Sequence, residues 1–370
     1  MTALTTFFCS VCLLLRAITG KADNHFETVF SIPNPLTNFP LRNIEFDPQN
    51  DDIFVSGKNV LYKLLKEDNY REYKNKSTGP DKVCFPEVER QKKYCGDDEN
   101  SVMIVTPDYL ITCSTLKGGL CRKRNKMNLN STGDVSNVGL VSDIEKSAVG
   151  RLITVTVKTS SGRTNESRLL FAKSYTTLPS NIAGSMDRTA IFSVAPDLPA
   201  KSISTSVLKK ENIFDMLLKE RIVDNTKLEY KALLEDDNFA FLLLNQNSKA
   251  KIAKICKSVD SVDPKRVYED IPIYCYKDGT NFTQMKHGTF VSYLGSRYLV
   301  AVFSNSENSA AVCVFKETEI LNKFLESRRD RYGCPKHDLT DNDAIFGQEK
   351  DVKCVHWMSI TKENEVIMHV

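Results

Sequence analysis

A chain of 370 residues can bury a large core, and its 26% charged and 41% apolar residues are ordinary for a globular protein. Its 50 basic and 47 acidic residues leave a net charge of +3, which argues against a general nucleic-acid surface, since that needs a strong basic excess or stripe. Eleven cysteines are more than a chain of this size normally carries in a reducing compartment.

At the N-terminus, "MTALTTFFCSVCLLLRAITGKA" holds an apolar stretch from Leu4 to Leu15 followed by small residues, which predicts a secretory signal peptide over residues 1–22. The stretch is short for a bilayer span, and Cys9 and Cys12 would be removed with it. The mature cysteines are then 11 − 2 = 9, namely Cys84, Cys95, Cys113, Cys121, Cys256, Cys275, Cys313, Cys334 and Cys354. In an oxidising compartment most of these pair, and the odd count leaves at least one over.

Strand signals follow. "RNIEFDPQNDDIFVSGKNVLYKLL" predicts strands over 43–46, 53–56 and 60–64, with Pro48, Asn50, Asp51 and Gly57 marking the turns. "SVMIVTPDYLITC", "RLITVTVKTSSGRTNESRLLFAKSY", "KLEYKALLEDDNFAFLLLNQ" and "AKIAKIC" continue the pattern. In "GSRYLVAVFSNSENSAAVCVFKETEI" two apolar runs flank a polar loop, and Cys313 sits inside the second. Such pairs have the length of adjacent strands in an antiparallel meander. Two segments read as helices that cover strand edges. "SVLKKENIFDMLLKERI" spaces Ile213, Phe214, Leu217, Leu218 and Ile222 helically, and "KETEILNKFLESRRDR" puts Ile320, Leu321, Phe324 and Leu325 on one face. With no Pro- or Ser-rich linker, many short strands favour an all-β propeller, in which each blade packs on the next, over two sandwich domains.

Chemistry-bearing patterns are sparse. The five histidines show no metal-site spacing, and no nucleophile elbow, phosphate loop or dinucleotide fingerprint occurs. Asp341 and Asp343 in "DNDAIFGQEKD" lack the other ligands of a calcium loop and read as a turn. Arg122, Lys123, Arg124 and Lys126 in "CRKRNKMN" read as a solvated basic loop, with a polysaccharide contact as the alternative. The expectation is no enzyme, no cofactor and no metal. Sequons at Asn75, Asn130, Asn165 and Asn281 are candidate glycosylation sites, although this composition supplies about as many by chance.

The spacings of Cys84 and Cys95, and of Cys113 and Cys121, suit local bridges. "STGPDKVCFPEVERQKKYC" and "YLITCSTLKGGLC" resemble the opening of the sema domain in plexins and their relatives, the scatter-factor receptors. The family carries Gly where this chain has Ser114. "KLEYKALLEDDNFAFLLLNQ" is similar to the plexin strands before the central cysteines. In "AKIAKICKSVDSVDPKRVYEDIPIYC", Lys254 stands at the family's Arg position, and Cys256, Tyr268, Glu269, Pro272 and Cys275 follow in order. The run through Cys313 resembles the family's next motif. The surroundings of "TGPDKVCFP" favour plexins over semaphorins.

The resemblance implies a seven-bladed propeller, of which residues 23–370 form an incomplete sema domain of about five blades and part of a sixth, with short helical insertions. It implies a bridge between Cys275 and Cys313, contributing on the order of 3–4 kcal/mol. Past Cys313 the chain departs from the family. Cys354 is a candidate substitute partner for Cys256, with the connectivity of Cys256, Cys334 and Cys354 left open. The implied function is the ligand-binding ectodomain of a semaphorin receptor in cell guidance, reached through the secretory pathway and displayed outside the plasma membrane. A semaphorin-type protein is the expected partner and a homodimer is allowed in the full-length receptor. Nucleic acid is not expected, and the membrane is reached only through regions outside this chain. The alternatives are a scatter-factor (hepatocyte growth factor) receptor relative, a secreted semaphorin or decoy, and a propeller glycosidase. An open set of blades leaves unpaired edges, so the expressed 370-residue chain is expected to self-associate. Clean monomeric sedimentation would contradict that.

Overall fold

The computed structural model describes residues 41–68, 73–79, 97–115, 119–135, 140–141, 147–159, 162–174, 190–194, 216–217, 228–259, 268–277, 279–306 and 309–333. The expected signal peptide, Cys84, Cys95, Asp341, Asp343, Cys334 and Cys354 lie outside them. Contacts gather into two compact units that divide between Asp134 and Val135.

The N-terminal unit holds two four-stranded antiparallel meanders. Strands β1 (Leu41–Phe46), β2 (Ile53–Gly57), β3 (Val60–Leu64) and β4 (Tyr73–Ser77) make the first, and the three predicted strands fall within it. Its tight turns use Asp51 at φ 56° and Asn59 at φ 64°, residue types that tolerate the left-handed region. Strands β5 (Val102–Val105), β6 (Tyr109–Cys113), β7 (Cys121–Asn125) and β8 (Ser131–Asp134) make the second. Side chains alternate across a strand, so the first sheet has two apolar faces. Phe54 and Leu61 pack with Met103 and Leu110 of the second sheet and Leu129 of its β7–β8 turn, while Val55, Val60, Tyr62 and Leu64 cluster on the opposite face.

The C-terminal unit begins with a long hairpin, β9 (Ala148–Thr159) and β10 (Gly162–Lys173), extended by β11 (Ala190–Val194). Met216–Leu217, expected inside a helix, is instead strand β12. Its two residues pair antiparallel with Ala190 and Ile191 at the sheet margin, so tertiary pairing overrides the helical spacing there. The rest of the expected helix, 206–222, lies outside the described residues. The fourth sheet joins β13 (Leu228–Glu235), β14 (Phe239–Gln246), β15 (Lys249–Cys256) and β17 (Tyr268–Pro272). Between the last two, β16 (Ser258–Val259) runs parallel to β9. A two-stranded ladder, β18 (Cys275–Lys277) with β19 (Thr280–Phe282), precedes the fifth sheet. That sheet comprises β20 (Gln284–Tyr293), β21 (Ser296–Ser304) and β22 (Ala310–Lys316), and leads into helix α1 (Glu317–Gly333) at the predicted place.

The fourth sheet is apolar on both faces. Ala240, Leu242 and Leu244 of β14 join Ile153, Val155, Leu170 and Ile191 of the third sheet. Phe241 and Leu243 join Met285, Leu299, Phe303 and Phe315 of the fifth, with Ile320 and Phe324 of α1. A bulge at Lys231 resets the alternation in β13, since Tyr230 pairs with Leu244 and Ala232 with Leu243. Tyr230 and Leu233 therefore face the third sheet, and Ala232 and Leu234 the fifth. At Gly288 a Cβ would lie 2.7 Å from Leu243 Cδ1 and 3.0 Å from Ala301 Cβ, so glycine permits the close approach of β20.

One buried side chain locks these two sheets. Asn245 Nδ2 donates to the Met285 carbonyl at 2.9 Å, and Asn245 Oδ1 accepts from the Met285 N–H at 3.0 Å. Substituting Asn245→Leu strands both backbone groups and is expected to cost about 2–4 kcal/mol. Denaturant unfolding measures it, and a loss below about 1 kcal/mol would mean the pair is dispensable.

Candidate functional site

One disulfide joins cysteines that strand pairing already sets opposite, and the other ties two strands of different ladders. Cys113 and Cys121 are opposite partners across β6 and β7, and the Ser114 N–H to Leu120 carbonyl bond, 3.0 Å, continues the hairpin beyond them. Cys275 of β18 is bonded to Cys313 of β22, with Cα atoms 5.9 Å apart, inside the apolar layer between the fourth and fifth sheets. The resemblance implies that pairing. Cys256 ends β15 half-buried, and its proposed partner lies outside the described residues.

Ion pairs are embedded in the same layers. Lys251 Nζ lies 2.8 Å from Asp270 Oδ1, with side chains 4% and 1% exposed. On the other face Lys254 meets Glu269 at 3.3 Å and stands 4.8 and 4.7 Å from the ring centres of Phe239 and Phe324. Burial, and then the neighbouring Asp270 charge, push the Tyr230 phenol far up. In the N-terminal unit Lys63 pairs with Asp52 at 2.8 Å, both buried. Burial pushes the Asp98 carboxyl up, against the lowering effect of the Asn100 N–H bond. Each lysine here is held by a neighbouring carboxylate, and the placement is that of strand registration.

The basic run corrects the sequence reading. Arg122, Lys123, Arg124 and Lys126 form β7 and its turn rather than a solvated loop. Alternation sends Arg124 inward, where it donates to Thr112 Oγ1 at 2.8 Å and the Leu129 carbonyl at 3.1 Å. Burial pulls its guanidinium down. Lys126 is buried against Asp47 at 2.9 Å, Gln49 Oε1 at 2.9 Å and the Thr106 carbonyl at 3.2 Å. Lys123 covers the Tyr109 ring at 4.9 Å, and Arg122 reaches Asp134 at 3.6 Å. A polyanion would meet two of the four charges. The signal that could have shown this is the run's position between two strand motifs, where every second side chain must turn inward.

The sequons are dispersed. Asn75 lies in β4, Asn130 directly before β8, Asn165 in β10 and Asn281 in β19. The first three are exposed and the fourth is half-buried. Among the described residues no group of three or more His, Cys, Asp or Glu is placed to hold a metal, and no helix is long and apolar enough to cross a membrane.

No protein-family model matches the sequence, and no curated protein does. Solved structures do match. The full extracellular region of plexin A4, domains 1 to 8, superposes with a TM-score of 0.59 at 15% identity, over 89% of this chain and 41% of that one. A second plexin A4 structure, domains 1 to 10, gives the same score and identity over 32% of its length. Drosophila Semaphorin 1a, extracellular domains 1-2, gives 0.51 at 12% identity, over 85% of this chain and 60% of that one. The chain thus spans less than two thirds of each. This likeness shows the fold: an all-β arrangement of propeller blades of the sema type.

Loop-closure entropy ranks the two bridges, the loops being 38 and 8 residues long. Replacing Cys275 and Cys313 together by alanine is expected to cost about 4 kcal/mol, and replacing Cys113 and Cys121 about 2.5 kcal/mol. Denaturation midpoints in the reverse order would show that burial, not chain entropy, sets the contribution.

Proposed function

We propose that this chain is the ligand-binding region of a plexin-like extracellular receptor, recognising a semaphorin-type protein in guidance or adhesion signalling. The observation that carries the reading is a coincidence of two independent features. The fold is shared with the extracellular regions of plexin A4 and Semaphorin 1a, and the cysteine motifs run in plexin-like order along the sequence. Two buried disulfides fit an extracellular location. Stacked blades form a rigid scaffold, and loops carried on such a scaffold supply recognition without catalytic groups. Function is accordingly read as binding, with no enzyme activity.

Biosensor titration of the secreted, disulfide-intact chain over immobilised semaphorin, plexin and scatter-factor proteins tests this. Saturable binding to at least one semaphorin and to neither other class is expected. Binding to plexins alone would replace the reading with the soluble semaphorin or decoy alternative, and binding to scatter factor alone with the related receptor. Binding to none would overturn it.

A further inference from the structure

We infer that N-linked glycan is carried at Asn75, Asn130 and Asn165 and excluded at Asn281, and that the three glycans cover strand margins left unpaired among the described residues. The inference rests on the extracellular reading above, because the modification belongs to the secretory pathway. The chemistry is a group transfer without redox change. The asparagine Nδ2 attacks the anomeric carbon of a polyprenyl-diphosphate-linked oligosaccharide, the sugar C–O bond to diphosphate breaks, the lipid diphosphate leaves and Nδ2 loses one proton. Only an amide nitrogen that stands in solvent in the finished fold can carry such a bulky substituent and still let the chain reach that fold.

The four sites differ on this point. Asn75 is exposed in β4, the outermost described strand of the first sheet, which pairs with β3 alone among the described residues. Asn130 is exposed directly before β8, the outermost described strand of the second sheet, whose four residues are all exposed. Its backbone is fixed on both sides, with the N–H donating to Asn128 Oδ1 at 3.0 Å and the carbonyl accepting from the Asn125 N–H at 2.9 Å. Asn165 occupies the half of β10 that runs past β11, since β11 pairs only with Leu169 to Lys173. Its Oδ1 accepts from Thr156 Oγ1 at 2.9 Å, which orients the amide and leaves Nδ2 with no hydrogen bond among the described residues. Among the described residues all three sequons therefore lie on strand margins that no further strand pairs with, the places where a sheet can recruit a strand from another chain.

Asn281 is the reverse case. Its Nδ2 donates to the Tyr276 hydroxyl at 3.4 Å, and its Oδ1 is enclosed without solvent contact. Phe282 beside it is in the core, and the Thr283 carbonyl accepts from the Ala250 N–H at 2.9 Å, tying the sequon to β15. A glycan would take one of the two Nδ2 hydrogens while the enclosed Oδ1 and the tyrosine bond hold the amide against the core, so the sugar has no freedom to turn outward.

The full chain, secreted from eukaryotic cells, is deglycosylated enzymatically in heavy-oxygen water and mapped by peptide mass spectrometry. The label is expected at Asn75, Asn130 and Asn165 and absent from Asn281. Ser77→Ala, Thr132→Ala and Ser167→Ala, which keep the asparagines, should each remove one glycan step in gel mobility, while Thr283→Ala should remove none. The triple hydroxyl variant should show larger species than the parent chain in light scattering at equal concentration. Label at Asn281 in folded protein, or an unchanged size distribution in the triple variant, would overturn the inference. A secreted chain bare at every sequon overturns it alone; a chain that never enters the secretory pathway overturns the extracellular reading as well. If the glycan map is as expected and no ligand binds, only the receptor reading falls.

Discussion

A four-stranded meander with apolar side chains on both faces cannot stand alone in water, and the fourth sheet is such a meander. Strand β14 sends Ala240, Leu242 and Leu244 one way and Phe241 and Leu243 the other. The hydrophobic effect therefore requires a neighbouring sheet on each side, not merely a core on one. Within the C-terminal unit the third and fifth sheets supply those neighbours. Helix α1 closes the layer beside the fifth sheet through Ile320 and Phe324. The first sheet is likewise apolar on both faces, Phe54 and Leu61 on one and Val55 and Tyr62 on the other.

Apolar contact is nondirectional, so it does not by itself say how one sheet sits on the next. Polar groups buried in the layers do. Asn245 reads the backbone of β20 as a complementary strand would, and Asn100 fixes the β2–β3 turn by donating to the Gly57 carbonyl at 3.0 Å and Thr78 Oγ1 at 2.8 Å. Lys126 reaches from the β7–β8 turn to Asp47 beyond β1. Buried ion pairs seldom add much net stability, because desolvation offsets their attraction, but a wrong alignment would leave them unmatched. Their contribution is to make one alignment much better than its competitors.

Much of this was legible in the chain. The first three strands are bracketed by Pro48, Asn50, Asp51 and Gly57, residues whose backbone preferences leave little choice, and α1 follows from four apolar residues at helical spacing. The two described disulfides were legible for different reasons, Cys113–Cys121 from close spacing and Cys275–Cys313 from the family resemblance alone. Strand β16 was not legible, because two residues have no periodicity to read. Met216 and Leu217 misled because apolar spacing over a helical period says nothing about an edge waiting nearby. The buried charges were hidden most completely. Lysine in a sequence suggests solvent, and only the partners, Asp47 for Lys126 and Asp270 for Lys251, many residues away, reveal otherwise.

The extra residue at Lys231 has a bearing on how such chains diverge. On its two sides the odd and even positions of β13 exchange addressees, so Ala232 is read by the fifth sheet although Tyr230 is read by the third. Losing that single residue would transpose every later side chain of the strand at once, presenting leucines to the wrong neighbour. Insertions and deletions in a relative should therefore accumulate outside the span from Leu228 to Glu235, and an alignment that opens a gap there has mistaken the grammar of the strand for noise.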